Sequence, residues 1–168
     1  MTVRVIIPWR GGCPHREAAL EWVLRRWADT HPDWPVTISQ LEDGPWVKAD
    51  AVNRAVADAR EDRLVVADSD VWSEHVASAV AALDRHAWSM PHRPVYRLTQ
   101  AATAEVLAGA PLTTFGTHRG LSERPYFGAP AGGLFCVPRS TLVEIPMDRR
   151  FVGWGGEDDA FADACEVL

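Results

Sequence analysis

Two acids one residue apart, Asp68 and Asp70, close an apolar run in "VVADSDVW". If the run is a strand that persists to Asp70, its period of two turns both carboxylates to one face. Two carboxylates that close repel unless a cation lies between them. Hard divalent cations such as Mn²⁺ or Mg²⁺ take carboxylate oxygens and commonly share the phosphates of a substrate. The pair is therefore a candidate site for a metal and a diphosphate. Two solvated acids ahead of a helix would leave the same trace, because the helix dipole favours them there.

A second acidic stretch, "GWGGEDDAF", lies near the other end of the sequence. Glu157 or Asp158 has the chemistry to take a proton from a hydroxyl nucleophile. Asp159 can hold neighbouring hydroxyls or an N–H. Trp154 offers an indole plane suited to the C–H face of a sugar ring, and Gly153, Gly155 and Gly156 give it a backbone that can move. An acidic first helical turn after a glycine loop is the alternative. Two further stretches carry polar groups at suggestive places. Arg10 follows an apolar run in "IIPWRGG" and could reach a phosphate or a base edge. Asn53 and Arg54 interrupt an Ala-rich helix, where Asn is a poor interior residue; a sugar or phosphate contact and a plain polar helix face both account for them.

Something must position these groups, and the pattern of elements is regular in the first half. The run at residues 3–8, "VRVIIP", is apolar and β-branched and suits a strand covered on both faces. Leu20, Val23, Leu24 and Trp27 have helical spacing, with Pro14 in the first turn. A strand is expected at 36–41, a helix from Lys48, a strand at 63–70 and a helix capped by Ser73. This β-α-β-α-β-α order predicts a mostly parallel central sheet flanked by helices, Rossmann-like, in a single domain. The second half reads as a strand at 94–99, a helix ending near Gly109, a loop over 113–131, a strand at 132–138, a short helix, and a helix from Gly156. Acids at the carboxyl ends of strands are where open α/β sheets gather ligands.

Composition narrows the classes. The 168 residues suit one domain, and the net charge of −6 disfavours a general nucleic-acid binder. The cysteines, Cys13, Cys136 and Cys165, are odd in number with no CxxC spacing, which reads as free thiols in a reducing compartment. No apolar run approaches a membrane span of about 20 residues, and the expected location is cytoplasmic. The single lysine, Lys48, beside 16 arginines reads as genome composition. The histidines show no zinc spacing, Ser69 lacks a nucleophile-elbow context, and neither a P-loop nor a GxGxxG occurs.

Taken in order, "IIPWR", "NRA" at 53–55, "DSD", "YFGAPAGGLFCVPRSTL" and "FVGWGGEDDAF" make the chain resemble the β-1,4-galactosyltransferase family of GT-A glycosyltransferases. The wider GT-A group that includes polypeptide N-acetylgalactosaminyltransferases has a similar Gly-Trp-Gly-Glu region. The resemblance implies one GT-A domain over residues 1–168, with a nucleotide-binding half (1–72) and an acceptor-binding half (73–168). It implies a metal-dependent, inverting transfer of a sugar from a nucleotide-sugar, a UDP-sugar by preference, to a hydroxyl of a glycan, small molecule or modified base. Carried over by residue, Pro8 and Arg10 would line the nucleotide pocket and Arg54 would contact the donor. Asp70 would bind Mn²⁺ or Mg²⁺, with Asp68 on the metal, ribose or donor. Trp154 would close over the donor and Asp158 would be the base. Glu157 and Asp159 would place the acceptor, whose side Phe127 and Gly128 would shape. The family's metal is usually completed by a downstream histidine, and no histidine follows His118. Another histidine or water would complete the shell, or the chain is shorter than a full enzyme. Three rival readings stand beside this one: a transferase acting on modified nucleic-acid bases, a non-catalytic sugar-nucleotide binder, and a nucleotidyltransferase, for which "GWGGEDD" has no use.

Overall fold

The computed structural model describes residues 1–41, 43–114 and 120–167. Their contacts divide into two units, 1–91 with 129–168 and a smaller one over 92–128.

The larger unit is built on a four-stranded sheet. Strand β1 (Val3–Trp9), strand β2 (Val36–Gln40) and strand β3 (Arg63–Ala67) run parallel, and strand β6 (Leu134–Pro138) runs antiparallel against β3, in the order β2-β1-β3-β6. Helix α1 (Pro14–Thr30) links β1 to β2, and helix α2 (Lys48–Asp58) links β2 to β3. Helix α3 (Val76–Ala82) follows β3. Helix α5 (Arg139–Glu144) and helix α6 (Glu157–Cys165) follow β6.

The alternation of the strands sorts the core into two layers. Val3, Val5, Ile7 and Trp9 of β1, with Val65 and Ala67 of β3, pack with Leu20, Val23 and Trp27 of α1 and Val76 and Val80 of α3. Ile6, Leu64 and Val66 face the other way, onto Val52 and Val56 of α2, Leu142 of α5 and Phe161 of α6. Both faces are thus apolar, which is why these strands read as unbroken hydrophobic runs. Pro8 lies inside β1, yet the pairing with β3 ends at Ile6 opposite Val66, so its missing N–H breaks no bond on that side.

Several expected boundaries shift. Strand β3 stops at Ala67, and Asp68 to Asp70 form a turn in which the Val71 amide donates to the Asp68 carbonyl at 3.4 Å. The two acids are therefore not a strand pair. Ser73 is not the cap of α3: that position is His75, and the Ser73 hydroxyl instead accepts from the His75 amide and donates to the Pro91 carbonyl. In the smaller unit the strand expected at 94–99 shrinks to β4 (Pro94–Val95). It pairs antiparallel with β5 (Tyr126–Phe127), a strand inside the stretch expected to be loop. Helix α4 (Gln100–Leu107) has the Thr99 side chain as its cap, accepting from the Ala102 amide, and Gly109 beyond it at φ 108°. Among the described residues no helix is long and apolar enough to cross a membrane. All three cysteines are free.

Candidate active site

The sheet order makes a switch point between β1 and β3: from β1 the chain moves outward to β2, then returns to the other side of β1. Ligands in open α/β sheets bind in the crevice beyond the carboxyl ends of the strands at such a point. Residues 10–13 leave β1 there, residues 41 and 43–47 lie beyond β2, and Asp68 to Asp70 leave β3.

One side chain gathers the acids of this region. Lys48, the first residue of α2, is only 6% exposed, and its ammonium lies 3.0 Å from Asp68 Oδ1 and 3.0 Å from Asp158 Oδ1. It reaches Asp158 Oδ2 at 3.3 Å and Glu157 Oε1 at 3.9 Å. The turn after β3 and the start of α6, about 90 residues apart in sequence, therefore meet on one cation. The carboxylates raise the Lys48 pKa against the opposing effect of burial. Burial pushes Asp158 up to about 6, and Asp68 and Glu157 add to the rise while Lys48 opposes it. A carboxylate tuned toward neutrality is suited to act as a general base.

Asp70 sits on the outer side of the turn. Its carboxyl is held above the ordinary range, first by desolvation, then by Asp68; Arg16 and Lys48 counteract in part. Arg16, from the first turn of α1, places Nη2 3.3 Å from the buried Ser69 hydroxyl and stacks its guanidinium over Trp9 at 5.1 Å. Asp68 and Asp70 offer only carboxylate oxygens, the donor type of Mg²⁺ and Mn²⁺. A hard divalent ion held there would take its other ligands from phosphate and water. Among the described residues no three or more His, Cys, Asp or Glu form a metal cluster, and His118 lies outside those residues.

The acidic stretch divides between inside and outside. Glu157 is 7% exposed and faces Lys48 with Asp158, whereas Asp159 points to solvent. Gly156 caps α6 in the left-handed region at φ 89°, and a Cβ there would meet Phe151 Cε1 at 2.8 Å. Gly153 donates its amide to the Trp46 carbonyl at 2.8 Å, so this loop has a defined anchor. Trp154 is 77% exposed, while each of the other seven tryptophans is buried or half-buried.

Other expected site residues make contacts of their own. Arg10 turns back over the segment after β2: it donates to the carbonyls of Leu41, Asp43 and Pro45 at 3.4 Å each, with Trp46 beneath it at 5.6 Å. Arg54 donates to the Ser39 hydroxyl and the Gln40 carbonyl, which ties α2 to the end of β2. Asn53 is structural. Its amide donates to the Met147 carbonyl at 2.9 Å and accepts from the Met147 amide at 3.0 Å. Phe127 and Gly128 belong to the smaller unit, Phe127 78% exposed on β5 and Gly128 against Val95. A groove lined by Asn53, Met147, Asp148 and Phe161 contains none of the clustered acids.

Sequence reasoning missed Lys48 and Arg16. The signal for Lys48 was present: a lone lysine where every other cation is arginine, at the positive end of a helix. Arg16 is indistinguishable locally from the other arginines of α1.

No protein-family model matches the sequence, and no curated protein matches it. Solved structures do. The chain is similar to a Drosophila β-1,4-galactosyltransferase 7 mutant determined with manganese, UDP-Gal and xylobiose, at 16% identity and TM-score 0.53, over 96% of this chain and 59% of that one. It is also similar to S. aureus TarS, at 14% identity and TM-score 0.52, over 96% of this chain and 33% of that one. The chain thus spans less than two thirds of either protein. At such identities the likeness concerns architecture, and on it the chain has a GT-A-like α/β fold: a mostly parallel central sheet flanked by helices.

Proposed function

We propose that the chain is the core of a metal-dependent, inverting glycosyltransferase, similar to the β-1,4-galactosyltransferases, that moves a sugar from a UDP-sugar to a hydroxyl acceptor. One observation carries this reading. The acids of the two motifs, Asp68 of "DSD" and Glu157 and Asp158 of "GGEDD", converge on one buried ammonium at a switch point of the sheet. The GT-A-like fold supports it, as does the neighbour solved with manganese, UDP-Gal and a disaccharide.

In this reading residues 1–72 form the donor half of one cytoplasmic transferase domain and 73–168 the acceptor half. Asp158 accepts the proton of the acceptor hydroxyl. The freed oxygen forms a bond to the anomeric carbon from the face opposite the diphosphate, and the bond from that carbon to the phosphate oxygen breaks. The electron pair leaves with the nucleoside diphosphate, and the sugar is inverted. Asp70 and Asp68 would hold the Mn²⁺ or Mg²⁺, which supplies charge neutralisation at the diphosphate. Pro8, Arg10 and Arg54 border the nucleotide, and Arg16 adds a cation beside Asp70. Trp154 covers the donor and excludes water, so that transfer outruns hydrolysis. Glu157 and Asp159 serve the acceptor.

The test is thermal unfolding with UDP, GDP, ADP or dTDP, each with and without Mn²⁺. Ligand at about 100 times its dissociation constant contributes about 2.7 kcal/mol, a shift of about 5–10 °C for a domain of this size. The expected result is a shift with UDP that requires Mn²⁺ and is absent from Asp70→Ala. No shift with any nucleotide would overturn the reading. A non-catalytic sugar-nucleotide binder is the second possibility, favoured by the Lys48 ammonium that already pairs with both Asp68 and Asp158. Measurable UDP-sugar hydrolysis or transfer, lost in Asp158→Asn, excludes it.

A further inference from the structure

Lys48 occupies a place that local preference argues against. It opens α2, where the partial positive charge of a helix N-terminus disfavours a cation. It is buried, and lysine is almost never buried unless paired. It is the only lysine among 17 basic residues. Departures of this kind concentrate at functional sites.

The geometry shows why the residue is a lysine. Its nitrogen is within 3.0 Å of two carboxylates from different elements and 3.9 Å from a third. An ammonium is a compact point charge with three donors that radiate from one atom. A guanidinium is a planar fork matched to a single carboxylate side-on, and it needs more room than a site so enclosed provides.

We propose that Lys48 is a positioning residue that tethers the donor-side acid Asp68 to the base Asp158, so that both ends of the transfer reaction are assembled as one unit. The inference rests on the transferase reading above. Without the ammonium, Asp68, Asp158 and Glu157 become three mutually repelling carboxylates in a half-buried cluster. The first turn of α6 then loses its link to the turn after β3, and Asp158 loses its register with the donor. A misplacement of about 1 Å costs about 10²-fold in rate.

The lone lysine makes the test direct. Protein labelled with ¹³C and ¹⁵N at lysine gives a single side-chain signal. That signal is expected to move in Asp68→Asn and in Asp158→Asn, and to broaden on addition of Mn²⁺ but not Mg²⁺. A signal unmoved by either substitution overturns the tether, and this arm needs no activity and no Lys48 variant that folds. In the kinetic arm, Lys48→Met and Lys48→Arg should lower kcat for transfer about 100-fold with donor KM changed less than about threefold, and arginine should give no rescue. Transfer by Lys48→Met within about threefold of wild type overturns the positioning role. Failure of the transferase reading is distinct: the wild-type protein would then neither bind UDP with Mn²⁺ nor transfer sugar, while the labelled-lysine signal alone decides whether the tether exists.

Discussion

Replacing Gly156 by alanine perturbs the joint between the glycine loop and the acidic helix in two separable ways. The residue has φ 89°, and Gly155 beside it has φ 99°, so a side chain at either enters the left-handed region. That conformation costs an ordinary L-residue about 1–2 kcal/mol. The surroundings differ. A Cβ at Gly155 would meet nothing within 4 Å, whereas one at Gly156 would meet Phe151 Cε1 at 2.8 Å and Cδ1 at 2.9 Å. Relieving such a contact by shifting the ring or the backbone costs about 1–3 kcal/mol more. Gly155→Ala should therefore lose about 1–2 kcal/mol and Gly156→Ala about 2–5 kcal/mol. At about 2–4 °C per kcal/mol for a chain of this size, the second variant should melt well below the first. Shortening the ring, as Phe151→Leu, should remove the steric part. In a double-mutant cycle Gly156→Ala with Phe151→Leu should then cost less than the sum of the two, with a coupling of about 1 kcal/mol or more. Calorimetry of the four proteins decides it. Equal melting temperatures for the two alanine variants, or additive effects in the cycle, would refute the claim that Phe151 confines Gly156. Because Gly156 directly precedes Glu157 and Asp158, the same variant should lose transfer activity beyond its loss of stability, and Gly155→Ala should lose less.

Three other outcomes follow from the geometry. Asn53→Ala leaves the amide and carbonyl of Met147 without their side-chain partner, and Met147 is 1% exposed; urea unfolding should show a loss of about 2–4 kcal/mol, with the donor KM unchanged, since Asn53 is a clamp and not a sugar ligand. Arg4 holds the Glu61 carboxyl down to about 2 from 4.5, so the pair's stabilisation is complete above the ordinary carboxylate range and disappears as pH falls from about 4.5 to about 2. Solvent reduces its size, and Glu61→Gln should cost about 1 kcal/mol at neutral pH, with the two melting curves merging near pH 2. Asp158, raised to about 6, must be ionised to take a proton; the transfer rate should fall below pH about 6, and a flat profile from pH 5 to 7 would remove Asp158 from the role of base.

What the chain announces about itself divides along the range of the interactions. Strands β1, β3 and β6 are buried on both faces, and their apolar runs say so locally; the helical spacing of Leu20, Val23 and Trp27 does the same for α1. The two acidic motifs are legible because glycine, tryptophan and carboxylates are rare together. Their relation to each other is not legible. Strand β3 was expected to carry both Asp68 and Asp70, but the pairing with β6 ends at Ala67 opposite Leu134, and nothing local to "ADSD" marks that limit. The two-residue strands β4 and β5 are too short for any period to reveal. Asn53 finds its partner 94 residues away, and Lys48 finds Asp158 110 residues away. Such contacts appear in a sequence only as local anomalies: an asparagine inside a helix, a lysine at its positive end. The two anomalies mean different things, and burial chemistry separates them. Asn53 exchanges a hydrogen bond from each of its polar groups with one backbone residue, which accounts for its place inside the helix. Lys48 has one charge facing three carboxylates, with Asp70 and Arg16 beside them. Counting full charges, these four acids and two bases retain two negative charges at a site open to Asp70. Under the transferase reading proposed above, the lysine would hold the acids that align the base and leave Asp70 to share a divalent cation with the donor's phosphates.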